Sequence, residues 1–188
     1  MTSDALLVKR AQRGDRNAVD ALLRENYDVV RAVCHRILIN SSDAEDATQM
    51  ALMAIVRALP SFDGRAKFST WVYRIATNAA LDELRRIRRR DVPNDETKFE
   101  NISVNDATNA VDAQMDVSSA LAQVPEEFRV VLVLRHIADL DYEEIAAVLD
   151  IPVGTVRSRL SRGRAQLTEI LGNQSESPGR QTNAGGQP

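Results

Sequence analysis

The chain has 188 residues, a formal charge of −3, a single Cys and 44% hydrophobic residues, which suits one ordinary domain or two small ones with a packed core. One Cys excludes an intrachain disulfide, no CxxC pair marks a zinc site, and the longest apolar run, Met50 to Val56, falls short of the roughly 18 residues a membrane span needs. Met1 to Arg10 holds no apolar signal region before its charges, so a cytoplasmic protein without membrane insertion is expected.

Helical periodicity runs nearly throughout. Residues 3–13 read as a short helix closed by Gly14. From Asn17 to Ile39 the apolar residues Val19, Leu22, Leu23, Val30, Val33, Cys34, Ile37 and Leu38 recur mostly at steps of three and four, so they share a face. Cys34 on that face reads as a buried, inert thiol, despite His35 beside it. Ser42 and Glu45 form a capping box for a helix over 43–58, which Leu59-Pro60 ends. Ser61 to Lys67 is a loop containing Asp63-Gly64. A long helix follows over 68–90, with Trp71, Val72, Ile75, Ala76 and Ala79 inward and five Arg in its last six residues.

Residues 91–116 lose the period and read as a flexible acidic linker. Helices return over 117–172. Pro125-Glu126-Glu127 opens one, Asp141 opens another, and Gly172 closes the last. Residues 173–188 read as a disordered tail. The expected fold is all-α, with two small helical domains, 1–90 and 117–172, joined by the linker. The charge divides the same way: 16 Lys/Arg against 11 Asp/Glu in 1–90, one against seven in 91–117, and six against eight in 118–172. The total therefore hides a basic N-terminal half, and the linker acids are expected to compete for its arginines in the free chain.

Residues 142–171 carry a helix-turn-helix pattern. Ile145, Ala146 and Leu149 face inward on the first helix, and Asp150-Ile151-Pro152-Val153 makes the turn. Asp150 is expected to adopt the left-handed conformation there. Val156, Leu160, Gly163, Leu167 and Leu171 form the inward stripe of the second helix, and Gly163 on it implies a close helix approach. The other surface offers Thr155, Arg157, Ser158, Arg159, Ser161 and Arg162, donors suited to phosphates and base edges in a major groove. An ordinary helical hairpin with a solvated basic face reads the same residues without DNA.

In the N-terminal half, Phe62, Phe68, Trp71 and Tyr73 interleave with Arg65, Lys67 and Arg74 ahead of Arg85, Arg86, Arg88, Arg89 and Arg90. Aromatic faces beside cations suit single-stranded nucleic acid, and the loop Phe62 to Ala66 is able to wrap an extruded base. Core packing is the competing reading, favoured for Trp71, whereas Phe62 and Tyr73 fit a core less readily. Asp43-Ala44-Glu45-Asp46-Ala47-Thr48-Gln49 places acids at a helix start, either for the helix dipole or for docking a basic protein.

Together the segments DAEDATQMALMAIVRAL (43–59), SFDGRAKFSTWVYRIATNAALDELRR (61–86) and LDYEEIAAVLDIPVGTVRSRLSRGRAQL (140–167) resemble the extracytoplasmic-function group of bacterial RNA polymerase sigma factors. The resemblance implies that residues 1–90 correspond to sigma region 2 and 117–172 to region 4. It implies that Asp43, Asp46 and Gln49 dock on the polymerase clamp. It implies that Phe62, Asp63, Gly64, Arg65, Lys67, Phe68 and Ser69, with Arg74 and Asn78, capture the minus-ten element. Arg85, Arg86, Arg88 and Arg89 would follow the DNA backbone. Thr155, Arg157, Ser158, Arg159 and Arg162 would read the minus-thirty-five element, and the same domain would meet the polymerase flap. An anti-sigma factor is an expected partner, and no catalytic group, cofactor or metal is expected. A stand-alone helix-turn-helix regulator would use 140–172 alone. An enzyme is disfavoured by two His, no phosphate loop and no nucleophile elbow.

Overall fold

The computed structural model describes residues 3–90 and 112–175. The N-terminal domain comprises α1 (Ser3–Gln12), α2 (Arg16–Ile37), α3 (Ser41–Ala58), a 3-10 turn (Leu59–Ser61) and α4 (Phe68–Arg90). The C-terminal domain comprises α5 (Asp112–Gln123), α6 (Glu126–His136), α7 (Tyr142–Leu149) and α8 (Val153–Ser175). Among the described residues every element is helical, as the periodicity indicates.

Gly14 closes α1 with φ +88°, and Asp15 then caps α2 by accepting from the Asn17 and Ala18 amides at 3.0 and 3.2 Å. The start of α3 corrects the expected capping box. Asn40, not Ser42, is the cap, with its side chain accepting from the Ser42 and Asp43 amides at 2.8 and 3.2 Å. Glu45 is drawn away from the helix start by Arg31 (2.9 Å) and His35 (2.8 Å) across α2. Charged partners on a neighbouring helix outcompete a local backbone amide.

The N-terminal core joins Val30, Val33, Cys34 and Ile37 of α2, Ala44, Ala47, Ala51 and Ile55 of α3, and Val72, Ala76 and Ala80 of α4. The inward seams of α3 and α4 are mostly alanine, which allows the two helices to approach closely. A second cluster, Val8, Ala11, Ala18, Leu22 and Leu59, seats α1 on α2 and the 3-10 turn.

In the C-terminal domain Asp141 and Glu144 form a reciprocal capping box for α7, with bonds of 2.8 and 3.0 Å. Asp150 takes the left-handed conformation at φ +53°, as expected for the turn. Val156 and Leu160 are buried, and Gly163 lies against α6: a Cβ there would sit 3.1 Å from Leu132 Cδ1 and 3.2 Å from Phe128 Cβ. Arg129 is an unexpected core residue, 5% exposed. Its Nη1 donates to the Ala122 and Val124 carbonyls, each at 3.2 Å, and so closes the end of α5.

Two boundaries differ from expectation. Helix α5 begins at Asp112, inside the expected linker, whose residues 91–111 lie outside the described residues. Helix α8 continues through Gly172 to Ser175, because Gly172 keeps helical backbone; among the described glycines only Gly14 and Gly64 have positive φ. The expected tail lies outside the described residues from 176 onward.

The two domains are docked. One continuous apolar cluster runs from α2, α3 and α4 into Leu121, Val124, Phe128 and Val131 of α5 and α6 and on into α7 and α8. Leu38 and Ile39 line a small cleft with Leu121 and Ala122. Thr70 Oγ1 donates to Glu144 Oε1 at 3.0 Å, Lys67 Nζ lies 3.9 Å from the same carboxylate, and Arg88 pairs with Glu126.

Gly163→Leu is expected to lower stability by about 1–3 kcal/mol, because the new side chain must push α6 outward. Thermal unfolding followed by circular dichroism checks this, and an unchanged midpoint would show that α6 and α8 are not in close approach.

Candidate nucleic-acid interface

The loop after the 3-10 turn is fixed by local chemistry. The Phe62 amide donates to the Leu59 carbonyl at 3.2 Å, and Gln12 Nε2 reaches from α1 to the Leu59 and Phe62 carbonyls at 3.2 and 2.8 Å. Asp63 Oδ1 accepts from the Arg65 amide at 3.0 Å, and Gly64 between them has φ +74°. This turn needs a residue that tolerates left-handed backbone, which Gly does without a Cβ penalty. Gln12 carries no periodic signal that would have revealed its role.

Phe62 does not project into solvent. Its ring meets Phe68 edge to face (centroids 5.4 Å apart) and Trp71 at a tilt (5.1 Å), and Phe68 meets Trp71 at 5.5 Å. Half-buried Phe62, Phe68 and Trp71 all pack against the cluster that seats α1. Tyr73, also half-buried, packs against the main core, and burial raises its hydroxyl pKa. The exposed rim of the loop is therefore Asp63, Gly64, Arg65, Ala66 and Lys67, with aromatic rings beneath it. Ser69 is half-buried at the start of α4.

Arg74, Asn78, Arg85 and Arg89 are exposed, and their spacing lines them along one face of α4 below Lys67. The cations at the end of α4 mostly face acids. Arg85 pairs with Asp82, and Arg86 pairs with Glu83 at 2.7 Å, which raises the Arg86 pKa. Arg86 also lies 3.9 Å from Asp46, and Arg90 lies 3.9 Å from Asp43. Arg88 meets Glu126 of the other domain. Among the described residues Arg74 and Arg89 have no carboxylate partner.

On α3, Asp46 and Gln49 are exposed, while the Asp43 side chain is only 17% exposed beside Arg90. The same exposed edge continues through Met50, Met53 and Val56, and the last two border a shallow apolar groove with Leu23, Leu52 and Arg57. These exposed methionines fall within the apolar run used above to exclude a membrane span. Their spacing from Asp46, at steps of four, three and three, is the signal that was available.

The helix-turn-helix presents Arg157, Ser158 and Arg162 in the open. Thr155 is half-buried, and its carbonyl accepts from Ser158 Oγ at 3.0 Å. Arg159 is half-buried and bridges to Glu127 of α6 at 3.1 Å, so part of its charge is spent inside the domain. His136 is exposed at the end of α6, and partial desolvation, then Arg164 and Arg135, lowers its pKa.

Burial pushes the Cys34 thiol pKa up to about 11, which keeps it protonated and unreactive, as its place on the apolar face indicates. Among the described residues no cluster of His, Cys, Asp or Glu is placed to hold a metal ion, and no helix is long and apolar enough to cross a membrane.

The family model for Sigma-70 region 2 matches residues 22–90, and that for Sigma-70 region 4 matches residues 114–167. The chain is 33% identical over 176 residues to the ECF RNA polymerase sigma factor SigW of Bacillus subtilis, covering 87% of this chain and 94% of that one. It is 37% identical over 179 residues to the ECF RNA polymerase sigma-E factor of Escherichia coli K12, covering 88% and 92%. Among solved structures it is similar to the sigma factor RpoE of Bartonella quintana in complex with the anti-sigma factor NepR, with a TM-score of 0.69 at 26% identity, covering 81% of this chain and 96% of that one. CnrH in complex with the cytosolic domain of CnrY matches with a TM-score of 0.68 at 26% identity, covering 94% and 100%. The chain belongs to the extracytoplasmic-function (ECF) sigma factors of RNA polymerase. It is thereby a transcription initiation factor and not an enzyme.

Phe62→Ala is expected to cost about 1–3 kcal/mol of stability, because part of the ring is buried against Phe68 and Trp71. Arg65→Ala, at the loop rim, is expected to cost less than about 0.5 kcal/mol. Chemical denaturation of both variants checks the pair; equal midpoints would put Phe62 outside the aromatic cluster.

Proposed function

We propose that this alternative sigma factor binds core RNA polymerase, selects promoter DNA at two places and promotes strand opening. The observation that carries the reading is the loop at 63–67, exposed over a floor of aromatic rings and continued by the Arg74–Asn78–Arg85–Arg89 face of α4. Unstacking a base costs a few kcal/mol, and stacking or enclosing a splayed base returns about 1–3 kcal/mol. The loop rim would enclose the base, while Phe62 and Phe68 shape the floor. Ser69 would lie beside the strand, and the exposed cations of α4 would follow the phosphates.

The Thr155–Arg162 face of α8 would read the minus-thirty-five element as duplex. Arg157 and Arg162 are the better base-edge donors, because Arg159 is tied to Glu127. Asp46 and Gln49, together with Met50 and Met53, would meet the polymerase clamp. Asp43 would act there only after parting from Arg90. The C-terminal domain would meet the flap. The sigma factor RpoE of Bartonella quintana is seen in complex with the anti-sigma factor NepR, and we extend an anti-sigma partner to this chain. Its site of action would be the cytoplasm.

Gel filtration with core polymerase tests docking, and failure to co-elute would overturn the reading. In run-off transcription on a promoter library, Arg157→Ala and Arg162→Ala are each expected to relax upstream preference, by about 1–3 kcal/mol at the base contacted. Arg89→Ala is expected to reduce the salt slope of single-strand binding by about 0.7 and leave upstream preference unchanged. Unaltered promoter preference in both α8 variants would remove the assigned duplex-reading face.

A further inference from the structure

We propose that Gln12 is a positioning residue for strand opening: from the last position of α1 it sets the entry of the loop at 63–67 in the geometry that captures an unstacked base. The inference rests on the base-capturing role proposed for that loop. Gln12 ends α1, and Val8 and Ala11 of the same helix are buried in one cluster with Ala18, Leu22 and Leu59. Packing against α2 and the 3-10 turn thus holds the backbone from which its side chain reaches out. Its Nε2 donates to the Leu59 carbonyl at 3.2 Å and to the Phe62 carbonyl at 2.8 Å, across 47 and 50 residues of sequence. A side-chain amide nitrogen carries two hydrogens, so it is able to make both bonds at once.

The two acceptors define the way into the loop. The Leu59 carbonyl also takes the Phe62 amide at 3.2 Å, which closes the 3-10 turn. The Phe62 carbonyl shares a plane with the Asp63 amide, because a peptide unit is planar. Holding that oxygen therefore fixes the plane from which the rim departs. Phe62 is extended, at φ −65° and ψ 116°, and no helix orders the backbone again before Phe68. At the far end the Lys67 carbonyl accepts from the Trp71 amide at 3.1 Å as α4 begins. The exposed rim, Asp63 to Lys67, thus runs between two fixed ends. Gln12 is half-buried and uncharged, so it acts through the loop backbone and not on phosphates. A pocket walled by loop backbone binds less well when its walls must be ordered at the moment of binding. Gln12 orders the entry of the loop beforehand.

Holoenzyme assembled from core polymerase and the full chain tests this on a promoter recovered from the run-off library. Gln12→Met keeps the length of the side chain and removes both donors. It is expected to slow strand opening, read from a 2-aminopurine in the melted strand, roughly fivefold. Initial affinity for the closed promoter duplex is expected to stay as in wild type, because the face of α8 is untouched. Hydrogen exchange of the free variant is expected to quicken over 62–67 and to match wild type elsewhere, which also reports an intact fold. An abasic nucleotide, placed in turn at each position of the non-template minus-ten strand, separates positioning from a merely structural role. At the position whose base enters the loop, variant and wild type are expected to open at equal rates, since no base is left to capture. A structural role would leave the same difference at every position. Wild-type opening by Gln12→Met, or a defect that survives at every abasic position, would overturn the proposal. Unchanged exchange over 62–67 would overturn the anchoring itself. A wild-type holoenzyme that no abasic substitution slows would overturn the base-capturing role of the loop, and the positioning role with it.

Discussion

The arrangement depends on how closely α4 lies against α3. The buried positions of α4 are Thr70, Val72, Ala76, Thr77 and Ala80, and those of α3 are Ala44, Ala47, Thr48, Ala51 and Ile55, so only Ile55 is larger than valine. Small facing residues let helices settle near the lower end of normal interaxial distances. The consequence is electrostatic. The acids that begin α3 come within 3.9 Å of the arginines that end α4, so the surface expected to meet polymerase adjoins the surface expected to meet DNA. Larger side chains in this seam would separate the two.

A formal charge of −3 is unusual for a DNA-binding chain, and the structure gives it a local meaning. Acids from α3 and α6 and from α4 itself stand beside the arginines of α4. Exposed ion pairs of this kind contribute about 0–1 kcal/mol each, because water and salt screen them. They are weak enough to exchange for phosphates when the backbone of a nucleic acid arrives. The competition expected from the acidic linker is thus available from acids on folded helices, whatever residues 91–111 add.

Much of the fold was legible because its determinants are local. Periods of three and four gave the helices, Asp141 gave the start of α7, Asp150 gave the left-handed turn, and Gly163 gave a close helix approach, whose partner is α6. The misses involve partners distant in sequence. Ser42 with Glu45 has the spacing of a capping box, but Arg31 and His35 claim Glu45, and Asn40 is left to cap α3. Phe62 fits a core less readily from its own loop alone; Phe68 and Trp71, further along the chain, supply its packing. Arg129 lies in an apolar run whose pattern says nothing of the α5 carbonyls it meets. The docking of the two domains has no sequence period at all.

That docking alters how the loop at 63–67 and the exposed face of α8 relate. A purely flexible tether would leave both open in the free chain and set their spacing by linker length alone. A docked form built from a shared apolar cluster and a few shielded polar bonds is more selective. The apolar contacts among Leu38, Leu121 and Phe128 favour closure without regard to salt, whereas the Lys67–Glu144 and Arg88–Glu126 pairs weaken as ionic strength rises. The closed form is then held by a salt-insensitive term and gated by a salt-sensitive one. A polyanion competes with the second directly. Only a partner that binds the separated domains better than the docked ones works against the first, since a ligand shifts such an equilibrium by no more than its differential affinity.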